Sequence, residues 1–111
     1  MQEEVKTKIE DSIKHNKVML FMKGDPEFPQ CGFSARAVEC LERVGAAFSA
    51  LDVLADQKLR QGIKEFSGWP TIPQVYIGGE FVGGSDILLA MFESGELKQR
   101  VEQAGATLRP T

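Results

Sequence analysis

The chain has 111 residues, room for one buried core and little more. An apolar share of 42%, a charged share of 26% and a net charge of −3, with the basic residues scattered, describe a water-facing domain without a nucleic-acid footprint. No apolar run nears the roughly 20 residues that span a bilayer, and the opening MQEEVKTKIEDSIKHNK lacks the apolar centre of a signal peptide. Neither membrane nor nucleic acid is expected as a partner, and a reducing cytoplasm is the expected compartment.

Val5, Ile9 and Ile13 recur every four residues among charges, the pattern of an amphipathic helix. Val18 to Met22, VMLFM, is a short continuous apolar run that suits a fully buried strand. Gly24 to Gln30, GDPEFPQ, carries a glycine and two prolines and reads as a flexible loop. After Cys31, the residues Phe33, Ala37, Leu41 and Val44 keep helical spacing until Gly45. Phe48 to Val53 reads as a strand parallel to the first, and Ala55 to Phe66 as a helix ending near Gly68. Gly78-Gly79 joins two further strands in a tight hairpin. Ile87, Leu88, Met91 and Phe92 mark a helix, and Leu97 to Ala104 a last one. The order α-β-α-β-α-β-β-α-α predicts an α/β fold: a mixed four-stranded sheet flanked by helices. Residues 1–111 read as one domain, with a core over about 5–104 and a loose tail over 105–111.

Two cysteines and one histidine are too few for a disulfide framework or a self-contained metal site. Cys31 stands where the loop meets a helix, and free backbone N–H groups and the helix dipole there favour a thiolate. Lys23, at the end of the preceding strand, adds positive charge on the same edge. The plainer alternative, a buried cysteine acting as a small hydrophobe, fits that placement poorly. Three residues on, where a resolving thiol would stand, is Ser34. Cys40 is nine residues along the same helix, a rise of about 13.5 Å and a rotation near 180°. A disulfide needs Cα atoms within about 7 Å, so Cys40 reads as a structural cysteine.

Lys23-Gly24, Pro29-Gln30-Cys31-Gly32-Phe33-Ser34, Trp69-Pro70-Thr71-Ile72-Pro73-Gln74 and Gly83-Gly84-Ser85-Asp86 stand in the order and spacing of the monothiol, CGFS-type glutaredoxins, which the chain resembles from about Val5 to Val101. The resemblance implies the thioredoxin/glutaredoxin fold, with Cys31 as nucleophile and cluster ligand. It implies a glutathione cradle: Lys23 and Arg60 for the glycine carboxylate, the Ile72 backbone before a cis Pro73 for the cysteinyl residue. Ser85 would meet the γ-glutamyl carboxylate through its backbone N–H and Asp86 the amino group. Read singly, Lys23 and Arg60 also fit solvated surface charges, and Ser85 or Asp86 a simple helix cap. Many members of the family carry cysteine where this chain has Ser85, which removes a disulfide at that position but leaves a backbone contact intact.

A [2Fe-2S] cluster takes four thiolates and the chain offers one well-placed cysteine. The resemblance implies a homodimer in which two Cys31 thiolates and two glutathione thiolates close the count, handing the cluster to apo iron–sulfur client proteins. The alternative is a glutathione-dependent oxidoreductase that uses Cys31 alone to deglutathionylate proteins. In a plant or alga the compartment would be the plastid stroma.

Overall fold

The computed structural model describes residues 1–106. In chain order the elements are α1 (Glu3–His15), β1 (Val18–Met22), α2 (Gly32–Arg43), β2 (Ser49–Asp52), α3 (Gln57–Ser67), β3 (Gln74–Ile77), β4 (Glu80–Gly83), α4 (Ser85–Ser94) and α5 (Glu96–Gln103). They build the expected mixed sheet, ordered β2-β1-β3-β4. β1 pairs in parallel with β2 and antiparallel with β3, so all five of its residues are buried.

The alternation of a central strand divides the core. Val18, Leu20 and Met22 pack with Ala37, Leu41, Leu88 and Leu97 from α2, α4 and α5. Met19 and Phe21 pack on the other face with Ile9, Ile13, Leu59 and Ile63 from α1 and α3. The apolar run with no polar alternation is thus the signature of a strand covered on both sides. α1 and α3 lie close because Gly62 has no side chain: a Cβ there would come within 2.5 Å of Val5 Cγ1. Gly78 and Gly79, with φ of +62° and +82°, make the β3–β4 turn, a conformation that matches strand twist and favours glycine.

Two helical stripes read from spacing are only partly in the core. Phe33 is 56% exposed and Ile87 41% exposed, while Ala37, Leu41, Leu88 and Met91 are buried. Each exposed residue lies in the first turn of its helix and lines an open groove. α3 begins at Gln57, two residues later than the periodicity suggests, because Asp56 caps it by accepting from the N–H groups of Lys58 and Leu59. Ala106, within the expected loose tail, donates its N–H to the Val101 carbonyl at 3.1 Å and packs on the core. Residues 107–111 of that expected tail lie outside the described residues.

The topology gathers distant segments at one sheet edge. Met22 faces Asp52 in the parallel pair and Phe21 faces Gln74 in the antiparallel one. The chain therefore leaves β1 at Lys23, enters β3 from Pro73 and leaves β2 toward α3 at the same edge. β4 runs antiparallel to β3 and delivers the start of α4 there as well.

Candidate functional site

The GDPEFPQ segment, read as flexible, is a closed loop. The Lys23 carbonyl accepts the Gln30 N–H at 2.9 Å, and the Asp25 carboxylate accepts the N–H groups of Glu27 and Phe28. Gly24 donates its N–H to Asp52 Oδ1 at 2.9 Å. At Gly24 φ is +87° and a Cβ would meet the Phe28 carbonyl at 2.5 Å, so only glycine fits. The loop delivers Cys31 as the residue flanking α2, with extended backbone (φ −158°, ψ 137°) and no side chain capping the helix start.

Burial pushes the Cys31 thiol up, but hydrogen bonds from the backbone N–H groups of Ser34 and Phe33, the Ser34 hydroxyl and the charge of Lys23 outweigh it. The net effect lies below the ordinary value. Ser34 is fully buried, and its Oγ also accepts the Lys23 N–H at 3.0 Å, tying the end of β1 to the first turn of α2. Sequence reasoning saw only that Ser34 was not a cysteine. Both cysteines are free, and Cys40 is buried, 3% exposed.

Cys31 lies at one side of a groove of about 480 Å³, which Lys23, Arg60, Ile72, Ser85 and Asp86 also line. Every residue that the resemblance assigned to the glutathione cradle thus borders one concavity. The Ile72–Pro73 bond is cis, as the resemblance implied. The N–H and C=O of Ile72 make no hydrogen bond among the described residues. α4 starts at Ser85 with no side-chain cap, so its first N–H groups are available to an anion.

Two further residues, Lys64 and Arg36, emerge only from the structure, and Trp69 takes the groove-wall place that its motif suggested. Lys64 lines the groove one turn after Arg60 on α3, a spacing that the sequence displays but gives no reason to select. Lys23, Arg60 and Lys64 form no ion pair among the described residues. Like charges converging without partners are unfavourable for the protein alone and favourable for a carboxylate ligand. Arg36 Nη1 lies 3.4 Å from Asp86 Oδ1, linking α2 to α4; nothing in the sequence relates positions so far apart. Trp69 packs on Phe81 with ring centroids 5.7 Å apart and forms part of the groove wall, alongside Phe33 and Ile87.

The groove therefore combines a thiolate-favouring cysteine, a cationic corner, free backbone groups and an open helix start. No group of three or more His, Cys, Asp or Glu able to hold a metal ion occurs among the described residues. No helix among them is long and apolar enough to cross a membrane.

The glutaredoxin family model matches residues 18–82. An uncharacterized monothiol glutaredoxin (ycf64-like) of Synechocystis sp. is 54% identical over 107 residues, covering 96% of this chain and 100% of that protein. Relatives also include proteins named as mitochondrial and as chloroplastic monothiol glutaredoxins. The solution structure of reduced poplar apo GrxS14 superposes with a TM-score of 0.81 at 48% identity, covering 91% of this chain and 93% of that one. A buckwheat glutaredoxin–glutathione complex shares the fold, with a TM-score of 0.82 at 22% identity over 96% of this chain and 97% of that one.

Proposed function

This chain belongs to the monothiol glutaredoxin family, and on that premise we propose that it binds glutathione beside Cys31 and carries a [2Fe-2S] cluster between two copies of itself. The observation that carries the reading is the convergence of Cys31, the unpaired cations and the uncapped start of α4 on one groove. Glutathione has a carboxylate at each end, a thiol between them and one ammonium. Lys23 and Arg60 meet its glycine carboxylate, with Lys64 beside them. The Ile72 backbone pairs with its cysteinyl residue as an added strand does. The Ser85 N–H takes the γ-glutamyl carboxylate and Asp86 the ammonium. The glutathione sulfur then lies next to Cys31.

The donor set decides how a cluster is held. One chain supplies one accessible thiolate, and a [2Fe-2S] cluster takes four. Two Cys31 thiolates and two glutathione thiolates complete the set, which makes the loaded form a homodimer. A ligand that is half noncovalent suits release to apo iron–sulfur client proteins. A working thiol paired with glutathione suits a reducing compartment, the cytoplasm or, in a plant or alga, the plastid stroma.

Anaerobic addition of iron, sulfide and glutathione tests this. The wild type is expected to gain a visible chromophore and double in mass, and Cys31→Ser to do neither. A wild type that stays colourless and monomeric overturns the carrier function.

The lowered Cys31 pKa favours a second reading, glutathione-dependent thiol–disulfide exchange. The Cys31 thiolate attacks the glutathione sulfur of a mixed disulfide and the client thiolate leaves; a second glutathione thiolate then attacks the glutathione sulfur on Cys31, forming glutathione disulfide and freeing Cys31 as the thiolate. Fast turnover in a glutathione-coupled reductase assay would promote it.

A further inference from the structure

The segment Trp69–Pro73 borders the groove but belongs to no helix or strand, so its backbone direction must be set by side chains. Ser67 Oγ accepts the Trp69 N–H at 3.0 Å while donating to the Ile63 carbonyl at 2.9 Å. At the other end stands Gln74, fully buried at the start of β3. Its Nε2 donates to the carbonyls of Trp69 at 3.0 Å and Thr71 at 3.2 Å, using both amide protons. Its Oε1 accepts the Tyr76 hydroxyl at 3.4 Å from the same face of the strand. Burial pushes the Tyr76 hydroxyl up to about 12, so it keeps the proton it donates.

The bond to Thr71 has a consequence one residue on. The Thr71 carbonyl and the Ile72 N–H belong to a single planar peptide, which is trans, Ile72–Pro73 being the cis bond among the described residues. In a trans peptide the C=O and N–H point in opposite directions. Gln74 holds the carbonyl toward the buried side, so the Ile72 N–H points away from it, toward the groove.

We infer that Gln74 is a positioning residue for the ligand: by holding the Thr71 carbonyl inward it aims the Ile72 N–H at the peptide backbone of glutathione. This rests on the glutathione-binding reading above. An apolar side chain of the same length at position 74 leaves the segment's fold to packing and frees the Thr71–Ile72 peptide to rotate. The γ-glutamyl end of the site, at the start of α4, is untouched.

The test uses S-methylglutathione, which occupies the groove without thiol chemistry, with affinity read by calorimetry and the Ile72 and Ser85 amides by ¹⁵N NMR. The wild type should bind, with both amides shifting and Ile72 gaining protection from solvent exchange. Gln74→Met should bind about tenfold more weakly, the loss expected when one hydrogen bond is misdirected. Its Ile72 response should vanish while its Ser85 response persists, a split that general destabilisation does not produce. Binding within twofold of wild type, or a retained Ile72 response, overturns the inference. Should Gln74→Met fail to fold, the wild type alone decides. Its ligand-free Ile72 amide must exchange quickly and its Gln74 side-chain amide slowly; the reverse overturns the inference. A wild type that does not bind S-methylglutathione at all overturns the glutathione reading itself.

Discussion

Cys31 flanks the start of α2 and Cys40 lies within it, and the helix treats the two in opposite ways. At the first turn, Cys31 lies half-buried among N–H groups that have no intrahelical partner, and its thiol falls below the ordinary value. Two and a half turns on, Cys40 is buried, and burial together with the charge of Glu39 pushes its thiol up. The contrast teaches that reactivity belongs to position. A helix start supplies donors to an anion, whereas the middle of a packed helix supplies only desolvation.

The widest separation should appear in alkylation. Native protein treated with iodoacetamide is expected to label at Cys31 on the order of 1,000-fold faster than at Cys40, which must await local opening of the helix. Peptide mass spectrometry reads both rates, and comparable rates would erase the contrast. Next in size is the core around the second cysteine. Leu41→Ala removes a fully buried side chain and should cost about 2–5 kcal/mol in urea unfolding, with little change in the Cys31 labelling rate. Cys40→Ser exchanges a soft thiol for a hydroxyl in the same place and should cost about 1–3 kcal/mol. A rise in stability would mean that Cys40 is not packed as described.

Smaller effects sharpen the first-turn side. Ser34→Ala should raise the Cys31 thiol pKa, followed by ultraviolet thiolate absorbance, because it removes the hydroxyl that bonds the thiolate. Lys23→Ala should raise it less, since charge at a distance contributes less than direct hydrogen bonds. The opposite order would make the cationic corner the main source of activation.

The pH dependence of stability gives the smallest signal and the two cysteines pull it in opposite directions. For Cys31 the folded value lies below the ordinary 9.0. Between the two, the unfolded chain binds more protons, so stability rises with pH through that window. The contribution is complete above 9.0 and lost as pH falls through the folded value. For Cys40 the folded value lies above 9.0, and its contribution is lost as pH rises from 9.0 through that value. Thermal melts across this range should therefore diverge with opposite sign for Cys31→Ser and Cys40→Ala relative to wild type.

Residue pattern alone determined a good deal. VMLFM declared a two-sided strand because no polar alternation interrupts it, and Gly78-Gly79 declared the hairpin because both positions need positive φ. Nine residues of helix were enough to separate Cys31 from Cys40. The motifs named the glutathione-facing candidates Lys23, Arg60, Ile72, Ser85 and Asp86, which the fold brings to one groove. What only the tertiary structure decided was every relation between segments far apart in the chain. Periodicity could not tell that Phe33 and Ile87 line an open groove, since it reports which face of a helix a residue shares and not what covers that face. Nor could it pair Arg36 with Asp86, hang the Lys23 backbone on Ser34, or turn Gln74 under Thr71. Local sequence governs backbone choice and amphipathic pattern; a polar contact across elements depends on packing distances that exist only once the sheet has formed.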